Sequence, residues 1–302
     1  MSTDSSPLSS EPPPRGEARK LEGGPLARKM RAALAPRIEA FRRKAGRSPS
    51  LAILANDDNP VTGSYIRSKL KACRAAGIDA AVHGLGAAQS GVLSLLEGLS
   101  RDDSVDGIIL VRPFPHDADP RRVAEAIPPG KDAEGMNPVN FGEVFLARTY
   151  QEASAGILPC TAFATIELLR CAEVPVAGAA AVVVGRSNIL GKPTAHLLNT
   201  LDATVTLCHS RTARLESHLA AADIVVACLG RPRFIRGAWL KKGAVVLDAG
   251  INSVDGRICG DVEFESSSQV ASIITPVPGG IGPVTTAVLL SNVARLAERR
   301  LG

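Results

Sequence analysis

Aromatic residues are scarce: two tyrosines, one tryptophan and seven phenylalanines make up 3% of 302 residues. With so few platforms for stacking bases, and with its basic residues scattered, the chain does not read as a nucleic-acid binder. No apolar run approaches the ~20 residues that a membrane-spanning helix needs, so no membrane partner is expected. The six cysteines, Cys73, Cys160, Cys171, Cys208, Cys228 and Cys259, form no CxxC pair and no Cys/His cluster. They read as small buried apolar side chains of a reducing, cytoplasmic compartment, and no metal is expected. None of the five histidines has a triad or metal partner in sequence, and nucleophile-elbow and Walker motifs are missing. Neither sign of charge dominates. The net charge of +5 is a mild excess that could help attract anionic small molecules.

What is present is a repeated strand–helix alternation. Residues 1–19 are rich in Ser, Pro and charge, cannot bury enough surface to offset ordering entropy, and read as a disordered tail without a secretory h-region. An amphipathic helix is predicted from about Pro25 to Lys44, with Leu26, Met30, Leu34, Ile38 and Phe41 on one side. A buried strand is predicted at Ser50–Ala55 and further strands at Asp79–Gly84 and Gly107–Arg112, with helices between them and a loop at Asn56–Pro60. Thr62 or Ser64 is the candidate N-cap of the first of those helices. The stretch from Pro128 to Asn140 reads as a loop, and a helix follows to about Cys171. The alternation then restarts, with strands at Ala179–Gly185, Ala203–Cys208, Asp223–Leu229, Gly243–Asp248 and Ile273–Thr275, and a closing helix from about Thr286 to Arg299. Such alternation implies parallel strands with helical crossovers, hence an α/β fold.

Three segments carry chemistry. In Tyr65-Ile66-Arg67-Ser68-Lys69 the tyrosine and lysine are four residues apart and share a helical face, offset by about 40°. Ile66, Leu70 and Cys73 anchor the neighbouring face, which puts the pair at the edge of a core. Taken alone, a Tyr/Lys pair at this spacing is usually just solvated. Val182–Leu198 is placed like the first βα turn of a dinucleotide site, with Gly185 and Gly191 freeing backbone for a pyrophosphate, although the spacing is not GxGxxG and an ordinary tight turn would look similar. The next strand ends in Cys208-His209-Ser210-Arg211-Thr212, with no acid for ribose hydroxyls. Ser210 and Arg211, with Arg186 nearby, suit a 2′-phosphate and favour NADP over NAD. Pro278–Thr285, with three glycines and two prolines, reads as a rigid loop in which a Gly-Pro bond could be cis.

Together these segments resemble the bifunctional methylenetetrahydrofolate dehydrogenase/methenyltetrahydrofolate cyclohydrolase family. The matching strings are YIRSK (65–69), DGIILV (106–111), NPVN (137–140), PCT (159–161), VVVGRSNILGKP (182–193), TLCHSRT (206–212), DAGIN (248–252), GDVEF (260–264) and TPVPGGIGPVT (275–285), covering the chain from about residue 21 onward. The resemblance implies two α/β domains flanking a cleft. Residues 20–160, completed by a helix over 286–302, would form the folate-binding catalytic domain, and 161–285 a Rossmann-type NADP-binding domain. It implies Lys69 as the residue moving a proton in hydrolysis and Tyr65 as the residue positioning the pterin. Val111, Arg112, Pro113, Glu134, Pro278, Gly279, Gly280, Ile281, Gly282, Pro283 and Thr285 would line the folate site. Gly185, Arg186, Ser187, Ile189, Ser210, Arg211 and Ile251 would hold NADP. Tetrahydrofolate derivatives as partners and a homodimer are implied in the same way.

Two departures fall in that site. Arg112 stands where the family usually has a glutamine that tunes the lysine, and Glu134 where it usually has aspartate. A smaller one is Ala162, where the family commonly has proline. A fixed cation beside Lys69 would disfavour its protonated form, so weakened hydrolysis beside intact dehydrogenation is the expectation. The alternatives are a dehydrogenase-only or repurposed member acting on another pterin-like substrate, and a non-catalytic dinucleotide-binding protein.

Overall fold

The computed structural model describes residues 17–56 and 60–301. In chain order its first elements are β1 (Arg19–Lys20), α1 (Gly24–Ala45), β2 (Ser50–Ala55), α2 (Pro60–Ala76), β3 (Asp79–Gly84), α3 (Gln89–Arg101), β4 (Gly107–Leu110), α4 (Pro120–Ala126), α5 (Pro138–Leu146), α6 (Tyr150–Ala155) and α7 (Cys160–Cys171). The remainder are β5 (Ala180–Val184), α8 (Gly191–Asn199), β6 (Thr204–Cys208), α9 (Leu215–Ala220), β7 (Ile224–Ala227), β8 (Val245–Asp248), β9 (Asn252–Val254), β10 (Arg257–Cys259), α10 (Phe264–Ser268), β11 (Ile273–Ile274) and α11 (Ile281–Arg299). The chain divides into two compact units, one of residues 27–164 with 285–302, the other of 1–26 with 165–284.

The first unit is built on a three-stranded parallel sheet of order β3-β2-β4. The central strand β2 is buried from Leu51 to Ala55, as its unbroken apolar run requires. Leu54 and Ile108 of the sheet pack with Leu96 of α3 and Val123 and Ile127 of the α4 region in one core. The segment after β4 runs back along it: Asp132 bridges Ile108, and the Ala133 N–H donates to the Ile108 carbonyl at 3.2 Å. The C-terminal helix α11 closes this unit. Its Asn292 amide donates to the Ala133 and Leu158 carbonyls at 2.9 and 3.2 Å, and its Glu298 takes a two-pronged pair from Arg37 of α1.

The second unit holds a six-stranded sheet of order β1-β11-β8-β7-β5-β6, with every pairing parallel. The chain goes from β5 outward to β6 and then returns to the other side of β5 as β7. That reversal makes the carboxyl ends of β5, β6 and β7 the place where an open α/β sheet takes a ligand.

Several expectations change on contact with the structure. The part of the expected tail that lies in residues 1–16 falls outside the described residues, as do residues 57–59 of the expected loop. Arg19, taken as tail, is instead in β1, paired with Ile273. Helix α2 begins at Pro60, so Thr62 lies inside it and is not its cap; proline at a first helical position is the start signal there. Helix α11 begins at Ile281, so the second half of the expected Pro/Gly loop is helical, with Pro283 tolerated in a first turn whose N–H groups have no intrahelical partner. The cis bonds are Arg112-Pro113 and Val277-Pro278; Gly282-Pro283 is trans. Helices α5 and α6 were not anticipated. Both carried start signals: Asn137 accepts from the Val139 N–H at 2.8 Å, and Thr149 from the Glu152 N–H at 3.2 Å.

The fully buried Asp106 carboxylate receives Arg47 through two hydrogen bonds of 2.6 and 2.8 Å and the Ser50 N–H at 2.9 Å, tying the start of β2 to that of β4. Asp106→Ala leaves Arg47 and the part-buried Ser50 N–H without their carboxylate. It is expected to lower stability by about 3 kcal/mol in urea unfolding, and a loss under about 1 kcal/mol would show that the clamp is not needed.

Candidate active site and cofactor cavity

Helix α2 delivers the Tyr65/Lys69 pair as its spacing requires. Ile66 and Cys73 are buried, Lys69 is only 4% exposed, and Tyr65 keeps 41% of its surface open. The Lys69 ammonium lies 4.9 Å from the centre of the Tyr65 ring and donates to the Thr286 hydroxyl at 3.2 Å. Burial pushes the lysine below its usual value; the charges of Glu134, Cys160 and Cys73 oppose this without cancelling it. Burial likewise raises the Tyr65 phenol, with Glu134 adding to the effect, and raises Cys73 to about 11.

Glu134 sits on the turn that the β4-edge segment makes. The buried Asp132 shapes that turn by accepting from the Asn137 N–H at 2.7 Å and the Asn140 amide at 2.9 Å. Burial pushes the Glu134 carboxyl up to about 7, and the Lys69 charge is the strongest influence pulling it back. Each of the two groups is therefore the other's main charged neighbour. Below them the Cys160 thiol, buried and raised, donates to the Ala133 carbonyl at 3.4 Å. A lysine whose charged form is disfavoured by burial, beside a carboxyl pushed up to about 7 and an open aromatic face, can stack a flat ring and relay a proton.

Arg112 does not occupy the place expected of it. It is exposed, with its guanidinium stacked 4.9 Å over the Phe114 ring, and it is not among the groups that move Lys69. It acts only as a minor influence on Glu134. Val111 is buried and Pro113 exposed. Thr285 belongs to this unit, whereas Pro278, Gly279, Gly280, Ile281, Gly282 and Pro283 belong to the other. There Gly280 donates to the Pro276 carbonyl at 2.8 Å, and Pro278, Gly279 and Gly282 are exposed.

In the second unit a cavity of about 520 Å³ opens at the carboxyl ends of β5, β6 and β7. Gly185, Arg186, Ser187 and Ser210 line it, as expected; Ile189, Arg211 and Ile251 do not, and Ile251 is 71% exposed. Gly185 has φ of +133°, and a Cβ there would sit 2.2 Å from the Cys228 carbonyl oxygen. One on Gly191 would sit 1.9 Å from the Gly185 oxygen. Only glycine permits this strand–turn–helix approach. Thr212 and Arg214, from the loop that carries Ser210, and Arg231 and Phe234, from the loop after β7, also line the cavity and were not read from sequence as site residues. Hydroxyls, guanidiniums and freed backbone around a volume of this size fit a phosphorylated dinucleotide.

Two buried carboxylates hold the cavity's far wall. Asp261 accepts from the backbone N–H groups of Leu229, Gly230 and Arg231 at 2.5, 3.0 and 2.8 Å. Asp248 accepts from those of Gly250, Asp261 and Val262 at 2.9, 3.0 and 2.8 Å. Burial pushes Asp248 up to about 6 despite these donors. The folded state then holds that proton more tightly than the unfolded chain, whose aspartates titrate near 3.9. The associated stability is complete below about pH 4 and is lost as pH rises through about 6. Urea unfolding between about pH 4 and 7 should show wild type losing roughly 1–3 kcal/mol relative to Asp248→Asn. Parallel pH curves would contradict this assignment.

Comparison with known proteins matches two family models in sequence, with bounds that differ from those of the two compact units. The model of the tetrahydrofolate dehydrogenase/cyclohydrolase catalytic domain matches residues 21–134, and that of the family's NAD(P)-binding domain matches 159–301. The chain is 45% identical over 298 residues to the bifunctional protein FolD of Azoarcus sp., covering 93% of this chain and 97% of that one. It is 43% identical over 286 residues to its counterpart in Magnetococcus marinus, covering 93% and 98%. Among solved structures, the bifunctional FolD methylenetetrahydrofolate dehydrogenase/cyclohydrolase of Campylobacter jejuni superposes with a TM-score of 0.87 at 36% identity, covering 94% of this chain and 99% of that one. The Trypanosoma brucei enzyme, complexed with NADP and an inhibitor, gives 0.86 at 35%, covering 94% and 98%. The chain belongs to the tetrahydrofolate dehydrogenase/cyclohydrolase family.

Proposed function

We propose that this protein oxidises 5,10-methylenetetrahydrofolate to 5,10-methenyltetrahydrofolate with NADP⁺ and hydrolyses the product to 10-formyltetrahydrofolate. The observation that carries the reading is Lys69: a lysine 4% exposed, shifted toward its neutral form by burial, and held between a tyrosine ring and a threonine hydroxyl in the unit matched by the catalytic-domain model.

NADP⁺ supplies the hydride acceptor. Gly185, Arg186, Ser187 and Ser210 would hold it, with hydroxyls and guanidiniums on its phosphates. The protein's part in that step is positioning: the open Tyr65 face receives the pterin ring, and Glu134 accepts its N–H groups. Oxidation leaves a cationic substrate carbon. Water adds to that carbon, and neutral Lys69 takes the proton that water loses. The protonated lysine then returns it to the ring nitrogen as the carbon–nitrogen bond breaks, and the remaining hydroxyl proton leaves as the formyl group forms. Net, one water is consumed and one proton released.

Burial disfavours the charged form of Lys69, the direction this role needs, and the Glu134 charge opposes that shift. Arg112 is stacked on Phe114 and is not among the groups that shift Lys69, which does not favour the dehydrogenase-only alternative. Val111, Arg112, Pro113 and Thr285 contact the folate in this reading, and Ile189, Arg211 and Ile251 are the cofactor's outer contacts. The protein works in the cytoplasm as a homodimer. Among the described residues no helix is long and apolar enough to cross a membrane.

Lys69→Met is expected to lower cyclohydrolase turnover by on the order of 10²–10⁴-fold while NADPH formation from methylenetetrahydrofolate falls far less. Equal losses in both assays, or an unaffected hydrolysis, would sink this division of labour.

A further inference from the structure

A lysine that relays protons needs a partner that survives its change of charge. As an ammonium it offers three donors; as an amine it offers two donors and a lone pair. A guanidinium carries donors only, so Arg112 could not follow that change even from nearby, and its side chain is exposed and stacked on Phe114. The Tyr65 ring meets the ammonium through its π face, and Glu134 acts on it through charge; both favour the charged form alone. Among the described residues, the one hydrogen bond of the Lys69 amine goes to the Thr286 hydroxyl, at 3.2 Å. A hydroxyl suits both states, because it accepts from the ammonium and turns to donate to the lone pair of the amine.

Thr286 also stands on a firmer support than Lys69 does. It lies half-buried in α11, with the nearby Val284 and Ala287 buried. A β-branched side chain has few rotamers on a helix. The helix itself is anchored farther along, where Asn292 donates to the Ala133 and Leu158 carbonyls and Arg295 donates to the Ser154 carbonyl at 2.8 Å. Lys69, by contrast, carries its amine on a flexible four-carbon stem. A fixed hydroxyl meeting a flexible amine sets where that amine can point.

We propose that Thr286 is a positioning residue for the hydrolytic step: its hydroxyl aims the Lys69 amine at the attacking water and stays bonded to it as the lysine gains and loses its proton. The proposal rests on the reading of Lys69 given above. In this chain a hydroxyl from the C-terminal helix then does what Arg112, which has no acceptor, cannot do. Hydride transfer takes no proton from this lysine, so the contact serves one of the two reactions and not the other. Its loss therefore separates them, and separates turnover from substrate binding.

The test assays the full chain for both activities in Thr286→Val, Thr286→Ala, Thr286→Ser and Lys69→Met. Valine keeps the shape and the branching of threonine without its hydroxyl. Thr286→Val should lower cyclohydrolase kcat by roughly 10- to 100-fold, the loss expected of one hydrogen bond to a charged group. Its KM for methenyltetrahydrofolate, and its rate of NADPH formation from methylenetetrahydrofolate, should change by less than about threefold. Thr286→Ala should show the same split, and Thr286→Ser, which keeps the hydroxyl, should recover most of the lost hydrolysis. The proposal is overturned if both hydroxyl-free variants hydrolyse like wild type, if they lose the two activities equally, or if Thr286→Ser is as poor as Thr286→Ala. Where Lys69→Met loses hydrolysis and the hydroxyl-free variants do not, the role of Thr286 falls and that of Lys69 stands. A Lys69→Met variant that hydrolyses like wild type overturns the reading of Lys69 itself, and the proposal with it.

Discussion

Taking the Lys69 amine out of water is the constraint on which the catalytic unit depends. An exposed lysine is a spectator cation near neutral pH, whereas a buried one can give and take a proton. The unit achieves burial without losing the lysine to permanent neutrality. The Tyr65 ring and the Thr286 hydroxyl receive the ammonium, and Glu134 supplies an opposing charge that is itself only partly present. The surroundings serve that balance. Asp132 fixes the turn that carries Glu134, and Asn292 of the C-terminal helix pins the same segment through the Ala133 carbonyl. The last residues of the chain are thus needed to shape a site whose lysine is near residue 70.

The cofactor unit solves a different problem. Nothing in it needs a tuned proton carrier; it needs backbone brought close to a charged ligand and held there. Gly185 and Gly191 allow the approach, and the stacked carboxylates of Asp248 and Asp261 accept the N–H groups of the loops leaving β7 and β8. Buried acids used in this way order loops by accepting hydrogen bonds, and the cost appears as the raised Asp248 titration.

Much of this was legible in the sequence. The β2 and β3 ranges were read as they stand, because unbroken or alternating apolar runs between loop signals leave little choice. The Tyr65/Lys69 pair was placed correctly, since four residues on a helix fix a shared face. The illegible parts have physical reasons. Short helices such as α5 and α6 bury too few residues to show a period, and only their caps betray them. The start of α11 was hidden by glycine and proline, which are tolerated where a helix's first N–H groups are free. Arg112 was expected beside Lys69 because the family resemblance puts a lysine-tuning glutamine at that position; the arginine side chain stacks on Phe114 instead. Arg231 escaped because cavity walls gather residues from loops that no local pattern connects.

The central claim is that Lys69 is held well below an ordinary lysine by burial, opposed but not overcome by Glu134. Direct titration of its side-chain amine by NMR in lysine-labelled protein, assigned with Lys69→Met, reads this without any assay. The account predicts that the resonance assigned to Lys69 titrates below the usual value of about 10.4, and moves lower still in Glu134→Gln, where the charge that favours protonation is gone. A Lys69 that titrates at or above about 10.4 in the wild type would contradict it.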